Sequence, residues 1–107
     1  MSTTPIAQTL PIAELIGYQE GAIVSRVILK AEAGNVSLFA FDEGQELSEH
    51  IAPFDALVHL LDGEAEIKIA AQVYNLQAGE AIIMPANEPH AVKAVKKFKM
   101  LLTMIRT

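Results

Sequence analysis

From Gly21 onward, short apolar runs alternate with turn-forming residues at nearly regular intervals. Ala22 to Lys30 is rich in Ile and Val and is followed by Ala33-Gly34-Asn35, and Val36 to Phe41 is followed by Asp42-Glu43-Gly44. β-Branched and aromatic residues fit a pleated, half-buried surface, and Gly, Asn and Asp fit the turns between such surfaces, so each run predicts a strand. The series continues with Gln45 to Ile51, Phe54 to Leu61, Glu64 to Ala70, Gln72 to Leu76, Ala81 to Met84, His90 to Ala94 and Phe98 to Ile105. Asp62-Gly63 predicts a tight hairpin between two of these strands, because Gly adopts positive φ at no steric cost. The total is about nine strands of five or six residues each. Ala31-Glu32-Ala33 and Pro53 to Leu61 contain helix formers but are too short for crossover helices, so an all-β antiparallel sandwich or barrel is expected over residues 22–107. Residues 1–21 differ: Pro5, Pro11 and the short Ile12 to Ile16 stretch predict an arm with at most one helical turn.

Composition narrows the function more than the fold. The chain has 107 residues, room for one core, and its 51% hydrophobic content excludes a disordered chain. A net charge of -5 lacks the basic excess that phosphate neutralisation requires, which argues against nucleic acid as a partner. The absence of Cys removes disulfides, thiolate metal sites and cysteine nucleophiles, and suits a reducing compartment. Met1 to Pro5 shows neither a basic nor an apolar targeting segment, and no run of about eighteen apolar residues follows, so a cytoplasmic protein without membrane partners is expected. Charge is also segregated. Lys93, Lys96, Lys97, Lys99 and Arg106 crowd one end of the chain, where a solvated hairpin guarding an edge strand is the simplest reading.

Gly44, five residues, His50, then Gly63, and later Gly79, five residues, Pro85, with His90 three residues after Asn87, resembles the two motifs of the cupin superfamily. The resemblance covers roughly Ala22 to Arg106 and implies a small antiparallel double-stranded β-helix, the jelly-roll barrel. It also implies a divalent Fe, Mn, Ni or Zn ion, with His50 and His90 at two of the ligand positions. Ala52 and Ala56 stand where that family has its second His and its Glu, Asn87 where it has a small Gly, and Ala94 where it has a final Asn. Two imidazoles alone predict a weakly held metal or none, since a first-row ion normally takes three or four protein ligands.

Alternation along the strands extends this picture. If His50 faces the barrel interior, Ser48 and Ala52 share its face, and counting back from Gly63 puts Ala56, Val58 and Leu60 inside and Asp55, Leu57, His59 and Leu61 outside. The expected pocket residues are then His50, His90, Ser48, Val58 and Val92. A bulge at Pro53 would exchange the faces and bring Asp55 and His59 beside the other two histidines as further metal ligands. Met84, Met100 and Met104 read as core fillers, and Tyr18 and Tyr74 as packing or rim residues.

Three functions stay open on this basis: a barrel that binds a small molecule with His50 and His90 at its polar end, a metal-dependent dioxygenase or isomerase, and a structural or sensory module without ligand. No serine-nucleophile elbow, phosphate loop or dinucleotide fingerprint is present. Phe54 to Leu61 is apolar on both faces, which leaves Leu57, Leu61 and His59 in need of cover, and a homodimer is the simplest source of it.

Overall fold

In the computed structural model, which describes residues 4–106, every predicted strand is present, but two of them are one. The eight strands are β1 (Ile23–Ala31), β2 (Gly34–Phe41), β3 (Glu46–His50), β4 (Phe54–Ile69), β5 (Gln72–Gln77), β6 (Ala81–Met84), β7 (His90–Lys93) and β8 (Phe98–Arg106). All pairings are antiparallel. One layer is built from β1, β2, β8, the first half of β4, and β6; the other from β5, the second half of β4, β7 and β3. This is a jelly-roll barrel, with β4 running through both layers.

The expected hairpin at Asp62-Gly63 does not form. Instead the chain continues through a bulge against β8, where the register slips between Leu60 and Asp62. The burial phase of β4 changes there: Ala56, Val58 and Leu60 are buried before it, Ala65 and Ile67 after it, so even-numbered residues give way to odd-numbered ones. One extra residue turns the strand's faces over and bends it from one layer into the other. Gly63 has φ +78°, and a Cβ there would lie 1.9 Å from the Lys97 carbonyl oxygen, so both its conformation and its closeness to the β7–β8 connection require glycine.

The core lies between the two layers. Phe41 and Phe98 stack at 4.5 Å with an interplanar angle of 17°, and Val58, Leu60, Ile67 and Met100 close around them, all essentially without solvent contact. A second, smaller cluster lies outside the barrel. There the arm carries its 3-10 turn Ile12–Glu14 and buries Ile16 against Leu38 and Ala40, with Leu61 and Leu101 beside them. Residues 1–3 of the predicted arm and Thr107 of the predicted barrel lie outside the described residues.

Two of the basic residues near the end of the chain, Lys97 and Lys99, serve the arm rather than an edge. β8 is an interior strand, flanked by β2 and β4. Lys99 donates through Nζ to the Ala13 carbonyl at 2.6 Å, and Lys97 and Lys99 lie 4.7 and 5.2 Å from the centroid of the Tyr18 ring. Tyr18 in turn donates its hydroxyl to Asp62. The expectation of a solvated hairpin guarding an edge strand therefore gives way to a clasp that fastens the arm.

Candidate functional site

His50 is the last residue of β3 and His90 the first of β7, and the two stand directly opposite each other in the antiparallel ladder. The pairing slips between Leu47 and His50, so a bulge at Ser48 and Glu49 lets both Leu47 and His50 point inward. That bulge corrects the place of Ser48. It does not share the face of His50; its side chain lines an outer groove with Glu46 and Lys93, and its carbonyl lies 2.9 Å from His50 Nδ1.

The two imidazoles meet edge to face with centroids 4.3 Å apart, and their Nε2 atoms are 3.1 Å apart. Each Nδ1 has a backbone carbonyl beside it, Ser48 O at 2.9 Å for His50 and Glu88 O at 3.2 Å for His90. A carbonyl only accepts, so this network assigns the proton of each neutral ring to Nδ1 and leaves a lone pair on each Nε2. Two lone pairs facing each other need something electron-poor between or in front of them: a proton, a cation or the hydrogen of a ligand's donor group. Burial holds the His90 imidazole below its ordinary value, the Glu88 carbonyl opposes this, and the positive charge of a protonated His50 adds to it.

Behind the pair lies a cavity of about 70 Å³, lined by Leu47, Ala52, Phe54, Ala56, Val92 and Leu102 together with Met84, Met100 and Met104. Its walls are apolar, and among the described residues no carboxylate lines it. Val92 belongs to this lining, whereas Val58 is fully buried in the core outside it. Met84, Met100 and Met104, read from sequence as core fillers, do pack in or against the core, and they also line this cavity. The alternation places them inside, but only the register between β4, β6 and β8 shows that Met84 and Met104 both stand opposite Ala56, one on each side. At the rim, the Arg106 guanidinium lies 5.6 Å from the Phe54 ring centroid.

Asp55 and His59 lie elsewhere. No bulge occurs at Pro53, and with Ala56, Val58 and Leu60 buried inside, these two residues face out of the barrel. Asp55 accepts a hydrogen bond at 2.8 Å from the Ala86 amide, and His59 lies in register with Ala81 and Leu101 on the outer face. They cannot reach the His50–His90 pair, so the register shift that would have made them ligands is corrected.

The resemblance implies a divalent metal, and the donor set fits one poorly. Among the described residues no three of the His, Asp and Glu side chains converge on a point, and Ala52 and Ala56 face the cavity where further ligands would stand. A closed site for Fe, Mn, Ni or Zn needs three or four such donors. His50 and His90 are two.

The loop that delivers His90 explains one departure from the motif. Asn87 stands at the small-Gly position with φ +66°, and Asn is among the few residues that tolerate this left-handed conformation. Its amide donates to the Ala52 carbonyl at 2.8 Å, tying the loop before β7 to the segment after β3.

Comparison with known proteins places this geometry. The family model described as "Cupin domain" matches residues 37–106. A conserved protein of unknown function from Streptococcus pyogenes is similar at 35% identity, with a TM-score of 0.90 over 94% of this chain and 89% of that one. A cupin superfamily protein from Desulfitobacterium hafniense is similar at 31% identity, with a TM-score of 0.91 over 97% and 95%. A cupin 2 conserved barrel domain protein from Leptotrichia buccalis is 40% identical with a TM-score of 0.85; the match covers 88% of this chain and 46% of that one. The comparison with curated proteins gave no match. The matched model spans the barrel from β2 through β8, and with it both histidines and the loops that present them: the chain belongs to the cupin superfamily.

Proposed function

We propose that the barrel is a binding module for a small, mostly apolar molecule carrying one hydrogen-bond-donating group, a phenol or alcohol by class. One observation carries this: two acceptor nitrogens, 3.1 Å apart, stand at the end of a cavity walled by Phe54, Leu102 and methionines. An apolar body loses water contact against these walls, and its O–H finds an imidazole Nε2 that lacks a donor. An apolar concavity with a few convergent polar groups is the common form of a small-ligand site.

The test uses phenol and toluene as probes and ¹³C-labelled methionine methyls as the readout. Three of the four methionines line the cavity. Phenol is expected to move the Met84, Met100 and Met104 resonances and to bind roughly three- to tenfold more tightly than toluene, the worth of one hydrogen bond. Replacing both histidines with Leu is expected to erase that difference. If neither probe moves the three methyls up to about 10 mM, where a millimolar Kd saturates, the reading is wrong and a module without ligand takes its place. The alternative, a metal-dependent dioxygenase or isomerase, requires a metal with open positions on three or four protein ligands. Stoichiometric Fe, Mn, Ni or Zn after dialysis would favour it.

We also propose that the protein is a homodimer. The arm covers Leu61, but Leu57, Ile83 and Ile105 stay 41%, 65% and 55% exposed on the outer face of one layer, with Leu57 and Ile83 in direct register. A second copy related by a two-fold axis would cover this patch with itself.

A further inference from the structure

We propose that the His50–His90 pair and the methionines behind it form a site for a soft monovalent cation, cuprous copper, in place of the hard divalent ion that the motif positions would hold. It shares the cavity with the small-molecule reading but rests on different atoms, the thioether sulfurs.

The mismatch between family and chain has a direction. The residue at the Glu position is Ala56, and the two residues directly opposite it on the neighbouring strands are Met84 and Met104. Opposed residues in antiparallel strands have Cβ atoms roughly 5 Å apart, within reach of a methionine side chain. The space a carboxylate would occupy is therefore bordered by two thioethers, and Met100 lines the same cavity. The hard oxygen donor is gone, and three methionines line the cavity that it would have faced. Thioether and imidazole together are a donor set for Cu(I), whereas Mg, Ca and Mn call for oxygen.

The nitrogens fit independently. His90 is 6% exposed, its Nε2 lies 3.1 Å from that of His50, and contacts of each Nδ1 with a backbone carbonyl hold both rings in the orientation that aims Nε2 at a cation. With metal–nitrogen bonds of about 2.0 Å, nitrogens 3.1 Å apart subtend roughly 100° at a shared ion, close to a tetrahedral angle. Charge points the same way. Among the described residues no carboxylate lines the cavity to offset the charge of a bound ion. The cost of moving an ion out of water rises with the square of its charge, so a monovalent ion bears about a quarter of the penalty of a divalent one.

The experiment titrates the protein with Cu(I), kept reduced by ascorbate under argon, in competition with the chromogenic chelator bicinchoninate, and separately with Zn(II). One equivalent of Cu(I) is expected to bind at least 100-fold more tightly than Zn(II). Met84→Leu with Met104→Leu keeps the volume of the walls and is expected to weaken Cu(I) by tenfold or more while leaving Zn(II) unchanged. Silver(I), a redox-inert surrogate, is expected to shift the methyls of Met84 and Met104 in the unaltered protein, which keeps the proposal testable if the double variant does not fold. Zn(II) binding as tight as Cu(I), an unchanged Cu(I) affinity in a folded double variant, or Ag(I) shifting the Met1 methyl alone would each overturn it. Phenol and toluene separate the two readings: probes that still bind while Cu(I) does not sink the cation site only, and the reverse result sinks only the small-molecule site.

Discussion

Replacing Gly63 with Ala should be among the most damaging small changes in this chain, and the structure sets its size. A Cβ at this position falls 1.9 Å from the Lys97 carbonyl oxygen, 2.8 Å from the Phe98 Cα and 2.9 Å from the Lys97 carbonyl carbon. All three atoms are backbone, so no side chain can swing aside and the β7–β8 connection itself must move. Overpacking of this kind costs about 1–3 kcal/mol, and holding an L-residue at φ +78° costs roughly 1–2 kcal/mol more. The reduced entropy of the unfolded chain returns about 0.4–1 kcal/mol. The sum is a loss of about 3 kcal/mol. Gly44→Ala is the control, since φ is +86° there but nothing lies within 4 Å of the added Cβ, and about 1 kcal/mol of conformational strain remains. The chain has no Trp, so urea unfolding is best followed by far-ultraviolet circular dichroism. With an m-value of about 1.5 kcal/mol/M, the midpoints should fall by roughly 2 M and 0.7 M respectively. Equal shifts for the two variants would refute the claim that close approach, and not the left-handed conformation alone, fixes Gly63.

Burial, the hydrogen bond to Asp62 and that carboxylate's charge all raise the Tyr18 phenol above its ordinary value. Its proton is thus retained when folded and lost from the unfolded chain above about pH 10, so stability is fully present below pH 10 and declines above it; Tyr18→Phe should flatten the decline in urea midpoints measured from pH 9 to 11. His59→Ala should leave the Met84, Met100 and Met104 methyl shifts and any cation affinity within twofold of the parent, because the side chain faces out of the barrel; a tenfold loss would mean the register of β4 is different. Ile83→Lys should convert the dimer expected at about 50 μM into a monomer by light scattering while costing under about 0.5 kcal/mol of subunit stability, as a 65% exposed position allows; an unchanged mass would place the interface elsewhere.

Strand positions were legible in the sequence because apolar runs and turn residues alternate so regularly, and the two histidines because the motif spacing survives around them. What the sequence hid was local register. Asp62-Gly63 carries the composition of a hairpin turn, and the positive φ it predicts is real, but the chain uses it for a bulge inside a continuous strand. Strict alternation placed Ser48 beside His50, and one extra residue in β3 turned it outward. The methionines show a different limit. Their inward direction follows from period two, yet their position on either side of Ala56 depends on pairings among β4, β6 and β8 that no local pattern encodes.

A strand shared by both layers also sets the order in which this molecule can be made. β4 pairs with β5, β6, β7 and β8, every one of which follows it in the chain, and β2 likewise waits for β8. During synthesis the β1–β2 and β4–β5 hairpins can close early, whereas β3 has its partner, β7, downstream. Until residues 98–106 leave the ribosome, one long edge of β2 and residues 54–63 of β4 lack their β8 partner. Non-local pairing of this kind folds slowly and exposes strand edges meanwhile. The barrel therefore closes only once β8 docks, and the interval before that is when it is most open to aggregation or to a chaperone.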